Sequence, residues 1–102
     1  MITGKNYIGN NLSAKGSKTY TTFNPQLNKE NEFSFVEATP EEIDQAVQLA
    51  KSTYHEFSGI SGTRKADFLN AIADEILALD DLLIKTYCSE TGLPEGRALG
   101  ER

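Results

Sequence analysis

The chain has 102 residues, one Cys, one His, no Trp and a net charge of −5. That length suits one small domain, which buries only about 65% of its unfolded surface. A single Cys excludes an internal disulfide and any Cys-cluster metal site. No apolar run approaches the roughly 20 residues of a membrane span, and the acidic total argues against nucleic acid as the main partner. No apolar stretch of the secretory kind opens the chain, so the expectation is a soluble, cytoplasmic protein.

Charge and composition change together near Thr39. Residues 1–38 carry four Lys and three Glu and sum to +1, whereas residues 39–102 carry six cations and twelve anions and sum to −6. Asn, Thr, Tyr and Phe dominate the first stretch, and Ala, Leu, Ile and Glu the second. The composition predicts α+β: three short N-terminal strands and turns over 1–38, then three to four helices over 39–102. The two stretches together read as one incomplete domain.

The first strand is expected at Asn6-Tyr7-Ile8-Gly9, stopped by the turn signal Gly9-Asn10-Asn11. Thr19-Tyr20-Thr21-Thr22-Phe23 is β-branched and aromatic and ends at Asn24-Pro25, where proline withholds a donor and extends its predecessor. Phe33-Ser34-Phe35-Val36-Glu37-Ala38 places Phe33 and Phe35 on one face. Three such strands make a small sheet whose aromatic face needs cover. Asn11-Leu12-Ser13 matches a glycosylation sequon, read as coincidence without a secretory signal.

Thr39-Pro40-Glu41-Glu42 is a helix start, with Thr39 as N-cap, Pro40 in the first position and Glu42 closing a capping box. Ile43, Ala46, Val47, Ala50, Tyr54 and Phe57 then form a stripe at steps of three and four, which predicts one packed face. Gly59 ends that helix. A second helix starts at Ser61 or Thr63, presents Phe68, Leu69, Ile72, Ala73, Ile76 and Leu77, and breaks near Asp80-Asp81. A third carries Leu82, Leu83, Ile84 and Tyr87 and stops at Gly92 and Pro94. Pro94 opens a fourth helix that is still running at Arg102, with no cap or stop signal. This ending is the first sign of a fragment.

Candidate chemistry is sparse. Cys88 is the only thiol, and Tyr87, Ser89 and Glu90 beside it do nothing to favour thiolate, so it reads as a half-buried structural residue. His55, near a helix C-terminus, reads as a solvated or dipole-favoured side chain. The pairs Glu41-Glu42, Asp74-Glu75 and Asp80-Asp81 read as solvated faces, and only a cleft makes such pairs an acid and a base. Gly59-Ile60-Ser61-Gly62, followed by Arg64 and Lys65, has the GxxG spacing that clamps nucleic-acid backbone in KH domains, here in an acidic field. Gly92, Gly96 and Gly100 stand four apart and predict a close contact with another element. No GxGxxG or GxxxxGK[ST] run occurs.

The order of these pieces resembles the amino-terminal segment of the NAD(P)-dependent aldehyde dehydrogenase superfamily. Tyr7-Ile8-Gly9 resembles its opening strand, and Thr22-Phe23-Asn24-Pro25 its asparagine-proline turn. Val36-Glu37-Ala38-Thr39 leads into Ile43-Asp44-Gln45-Ala46-Val47 and Ala50, similar to its Asp-x-Ala-Val helix. Arg64, Phe68-Leu69 and Ala73-Asp74 are similar to its second helix. Glu90-Thr91-Gly92-Leu93-Pro94 resembles its Glu-Thr-Gly-Lys-Pro signature, with Leu93 where Lys is usual, and Glu101 falls where a glutamate is frequent. The run Leu93-Pro94-Glu95-Gly96-Arg97-Ala98 most resembles the NADP-preferring branch that oxidises α-ketoglutaric semialdehyde (2,5-dioxovalerate) and fatty aldehydes.

The resemblance implies a parent enzyme, usually dimeric or tetrameric, that oxidises an aldehyde to its acid. A cysteine thiolate forms a thiohemiacetal, hydride passes to NAD(P)+, and a glutamate-activated water releases the acid from the thioester. The family's catalytic Cys, general-base Glu and dinucleotide-binding residues match nothing in this chain, and Cys88 is not its nucleophile. No catalytic and no cofactor-binding residue is therefore assigned here, and the chain alone is expected to be inactive. The resemblance also implies a structural monovalent cation held by backbone carbonyls of Thr22 and Phe23 and by Glu90. Oxygen donors suit a hard cation, and Glu90 equally suits a hydrogen bond to the strand-end backbone.

In the family these elements form the outer part of an α/β Rossmann-like cofactor domain. The partner expected for this chain is the remainder of that domain, with self-association when the chain is alone. Two other classes compete. A stand-alone acidic helical protein-interaction module predicts a polar surface and a monomer, and a KH-like reader predicts salt-sensitive RNA binding.

Overall fold

Turn chemistry shapes the first third of the chain and helix caps shape the rest. The computed structural model describes all of Met1–Arg102. The strands are β1 (Asn6–Ile8), β2 (Asn11–Ser13), β3 (Thr19–Asn24) and β4 (Lys29–Val36); the helices are α1 (Pro40–Gly59), α2 (Gly62–Ala78), α3 (Asp80–Thr91) and α4 (Glu95–Glu101). The α+β expectation holds in its class and differs in detail. Four strands form instead of three, in two separate two-stranded sheets, β1-β2 and β3-β4. The sequon residues Asn11–Ser13 are the missed strand. They pair antiparallel with β1, Tyr7 opposite Leu12, across the turn that Gly9-Asn10 was expected to make. β4 begins at Lys29, four residues before the expected Phe33, because Lys29-Glu30-Asn31-Glu32 is polar on both faces and gives no alternation signal.

The chain divides into two compact units, each assembled from two separate stretches: residues 1–22 with 32–59, and residues 23–31 with 60–102. The β3-β4 hairpin contributes its base to the first and its tip to the second.

In the first unit the amino-terminal strand segment lies along the end of β4. Val36 N–H donates to the Gly4 carbonyl at 2.9 Å, and Asn6 Nδ2 donates to the Val36 carbonyl at 3.2 Å. A Cβ on Gly4 would sit 1.9 Å from the Ser34 carbonyl oxygen, so only glycine allows this approach. Tyr20 and Phe35 stack across the hairpin base with centroids 5.6 Å apart. Ile8 is the buried apolar side chain here. α1 packs on β1, with Leu49 over Gly9.

The predicted start of α1 is present in full. Glu42 N–H donates to Thr39 Oγ1 at 3.2 Å, and Thr39 N–H donates to Glu42 Oε2 at 2.9 Å, which is the reciprocal capping box. The packed face differs from the expectation. Of the expected stripe, Ala46 is half-buried and Ile43, Val47, Ala50, Tyr54 and Phe57 are exposed; α1 buries Glu42 instead, beside a half-turned stripe of Ala46 and the exposed Leu49, which reaches over Gly9. At 100° per residue these two stripes lie about a quarter turn apart. Periodicity identified a stripe and could not say which of two stripes meets the sheet.

In the second unit the hairpin tip seats on the end of α3. Asn24 is buried, and its Oδ1 accepts from Gln26 N–H and Leu27 N–H, each at 3.0 Å, an Asx turn at the Asn24-Pro25 strand end. Gln26 Nε2 donates to the Gly92 carbonyl at 2.7 Å, and Asn31 Nδ2 donates to the Ser89 carbonyl at 3.3 Å. Ser61 caps α2 by accepting from Arg64 N–H at 3.2 Å. The Gly59–Gly62 stretch therefore ends one helix and caps the next, with open space at both glycines. The break at Asp80 is sharp, with Asp80 at φ 42°. α3 ends at Gly92, left-handed at φ 71°, whose N–H donates to the Cys88 carbonyl at 2.9 Å. Ile84 of α3 and Ala98 of α4 are buried, and α2 buries no residue. The close approach expected of the glycine row is found only at Gly92, beside Pro25; Gly96 and Gly100 face open space. No helix is long and apolar enough to cross a membrane.

Candidate functional site

The most organised polar site is built around Glu42. The capping box fixes its backbone and one carboxylate oxygen. The other oxygen accepts from the Ser13 hydroxyl and from Lys15 N–H at 3.3 Å. Glu42 is only 1% exposed, so its reading as part of a solvated acidic face is corrected. Three donors satisfy the buried carboxylate, as burial of a charge requires. The Ser13 hydroxyl, then the Thr39 amide, hold its pKa below the ordinary 4.5 against the opposing effect of burial; Lys15 adds a smaller pull the same way. These bonds favour the charged carboxylate, and the arrangement joins β2 and the residues just after it to α1. The sequence signalled half of it through Thr39-x-x-Glu42. Ser13, twenty-nine residues away, carried no local signal.

The other candidates are apart. His55 is exposed on α1, its ring edge-on to Tyr54 at 5.8 Å. Glu41, Asp74, Glu75 and Asp81 are exposed, and Asp81 meets only Lys85 one turn on, at 3.2 Å. Cys88 is a free, half-buried thiol in α3, as expected. No group of three or more His, Cys, Asp or Glu side chains could hold a metal ion.

The residues implied for a monovalent cation fall as follows. Thr22 and Phe23 are consecutive in β3, and Glu90 is exposed in the last turn of α3. Phe23 and Glu90 belong to the same compact unit. There, the Gln26 and Asn31 bonds hold the hairpin tip against carbonyls on either side of Glu90, those of Ser89 and Gly92.

One open groove of about 380 Å³ lies in the second unit, lined by Ala73, Ile76, Leu77 and Ile84, with Tyr87 and Arg102 among its few polar groups. It brings together no nucleophile and base. Arg102 pairs instead with Asp80 at 3.1 Å.

The aldehyde dehydrogenase family pattern matches residues 12–102. The chain is 35% identical to alpha-ketoglutaric semialdehyde dehydrogenase 2 of Azospirillum brasilense, over 99% of this chain and 19% of that protein. It is 33% identical to alpha-ketoglutaric semialdehyde dehydrogenase of Acinetobacter baylyi, over 96% of this chain and 19% of that protein. The chain thus spans about a fifth of the length of these relatives. No solved structure matches it significantly. With the matched pattern covering almost the whole chain, from β2 to the last residue of α4 and beyond it Arg102, the chain belongs to the aldehyde dehydrogenase family.

Proposed function

We propose that this chain is the amino-terminal part of an NAD(P)+-dependent aldehyde dehydrogenase that oxidises α-ketoglutaric semialdehyde to its carboxylic acid. The observation that carries this is the similarity to two dehydrogenases of that name across nearly the whole chain. The Leu93–Ala98 run, which resembles the NADP-preferring branch, supports the same substrate.

The chain contributes framework rather than chemistry. Its only thiol, Cys88, and its only imidazole, His55, belong to different compact units, and covalent catalysis needs a nucleophile paired with a base or an equivalent activation. By itself the chain is inactive and binds no dinucleotide. When bound elsewhere in the longer protein, the cofactor accepts the hydride. The exposed apolar side chains of α1 and α2 are covered there by the remainder of the cofactor-binding domain, a Rossmann-like core; a chain lacking that cover associates with itself. Carbonyls of Thr22 and Phe23 with Glu90 hold a monovalent cation, an oxygen set that fits a hard ion and is completed by ligands from outside this chain. The protein works in the cytoplasm as an oligomer.

An immunoblot of source-cell extract with antibody against this chain tests the proposal. The expected result is a band several times larger than 11.2 kDa. Protein recovered from that band is expected to form NAD(P)H with α-ketoglutaric semialdehyde, and the 102-residue chain to form none. A single band at 11.2 kDa, or NAD(P)H formation by the short chain, overturns it.

A further inference from the structure

The stretch from Gly4 to Lys18 is tied down in two different ways. Its ends are held by backbone groups where β4 finishes: Val36 N–H donates to the Gly4 carbonyl and Glu37 N–H to the Lys18 carbonyl, each at 2.9 Å. Val36 and Glu37 are consecutive, so the stretch is a loop closed at its base. Inside it, β1 and β2 pair only with each other, Asn6 opposite Ser13 and Ile8 opposite Asn11. That ladder persists if the hairpin moves as one piece. The middle of the loop is docked on α1 by few groups. Ile8 is buried and Leu49 reaches over Gly9, whereas Tyr7 and Leu12 are exposed. The remaining hold is Glu42 Oε1, which accepts from the Ser13 hydroxyl and from Lys15 N–H at 3.3 Å. The other oxygen, Oε2, serves the helix start through Thr39 N–H at 2.9 Å. One buried carboxylate thus divides its oxygens between the helix cap and the hairpin.

A glycine stands at each end of the hairpin segment. Gly4 is left-handed at φ 68°, and Gly16 lies just before Lys18. A Cβ would run into the Ser34 carbonyl oxygen at the first and the Glu37 carbonyl oxygen at the second. Glycine lets both ends lie against the chain there and absorbs backbone rotation at little cost, as hinge positions must. We propose that residues 5–15 form a flap, hinged at Gly4 and Gly16 and latched onto α1 by Glu42, and that neutralising this carboxylate lifts the flap while its base stays bound to Val36 and Glu37.

A hydrogen bond to an ionised acceptor is about twice as strong as one to a neutral acceptor. Protonation of Glu42 therefore weakens the Ser13 and Lys15 bonds, whereas the backbone bonds at the base hold no titratable group. The groups that face Glu42 are Ser13 and Lys15 from the flap and Thr39 from its own helix start; the charged one, Lys15, favours the carboxylate. Acid is the release, and opening uncovers Ile8 and the α1 surface beneath it. The flap lies wholly within the first unit, and its opening is independent of the aldehyde oxidation proposed for the longer protein.

Amide hydrogen exchange of the 102-residue chain, read by mass spectrometry and corrected for the intrinsic rate, provides the test. Ser13→Ala cuts the latch and spares the helix cap. At pH 7 it is expected to lower protection of residues 6–14 about 10-fold, and that of α1 beyond residue 46 less than about 2-fold. In the parent chain the same residues 6–14 are expected to lose protection first as pH falls from 6 to 3, and in Glu42→Gln they are open throughout, with no such dependence on pH. Loss of protection in Ser13→Ala spread evenly over residues 1–22 and 32–59 overturns the flap, because the unit then opens as a whole. Protection of residues 6–14 that neither Ser13→Ala nor Glu42→Gln alters overturns the latch. If circular dichroism shows that Glu42→Gln does not fold, Ser13→Ala and the pH series of the parent chain decide, and an unchanged flap in both overturns the latch equally.

Discussion

α1 and the α3–α4 pair are anchored by opposite means. α1 has twenty residues, and the one it buries is the charged Glu42. Its place in the first unit depends on three hydrogen bonds to one carboxylate, with Leu49 adding contact over the sheet turn. α3 and α4 are shorter, and they bury Ile84 and Ala98 against each other's surroundings in the second unit. The long helix has the stronger amphipathic pattern and the weaker apolar anchorage. An apolar stripe therefore records a surface that needs cover, whereas burial records what has received it.

Replacing Glu42 breaks the comparison most severely. Glu42→Ala leaves the Ser13 hydroxyl and two amides without their acceptor, and an unmet buried donor costs its full desolvation. It is expected to lower the thermal midpoint more than any other single substitution named here, and Glu42→Gln to recover part of the loss. The same group sets an acid limit. Its pKa is depressed in the folded chain, so its contribution is complete above about pH 4.5 and is lost as pH falls through the lower folded value. Melting curves between pH 3 and 6 are expected to show this slope in the parent chain and a flatter one in Glu42→Gln.

Ile84→Ala tests the apolar anchor. Removing a buried branched side chain costs about 2 kcal/mol, toward the low end for such changes because an open groove already borders the site. Urea unfolding checks it. Gly92→Ala examines how α3 is stopped. The left-handed backbone penalises a Cβ by about 1 kcal/mol, and that Cβ would lie 2.6 Å from Pro25 Cγ, so a loss of about 2 kcal/mol or less is expected, with Gly92→Asn recovering some of it. Asp80→Gly has the smallest effect and the opposite sign. It relieves a non-glycine residue at φ 42° and forfeits an ion pair to Arg102 in which Asp80 is exposed, worth a few tenths of a kcal/mol. A gain of about 0.5 kcal/mol or less is expected by the same unfolding measurement.

The parts legible in the sequence were the local ones. The Thr39–Glu42 box, the Ser61 cap, the Asn24-Pro25 turn and the Gly92 stop each need only a few consecutive residues, and each formed. β2 escaped because three residues, two of them polar, carry too little pattern to oppose the turn signal beside them. The inward face of α1 escaped because its choice depends on Ser13 and Gly9, distant in sequence. At the candidate cation set, resemblance named Thr22, Phe23 and Glu90, whereas the Gln26 and Asn31 bonds that join hairpin tip to helix end connect residues 66 and 58 apart. No local rule reaches that far.

Those two separations also set a timetable for synthesis. The hairpin tip leaves the ribosome long before the helix end that receives it. At about 5 to 20 residues per second, Gln26 waits roughly 3 to 13 s for Gly92 to be made. During that interval Asn24 can already close its own turn, and Glu42 can already collect Ser13, because their partners are nearer. The first unit can therefore take shape while the second is still half unwritten, and a pause in translation between α1 and α3 would lengthen the time for which the tip stands without its seat.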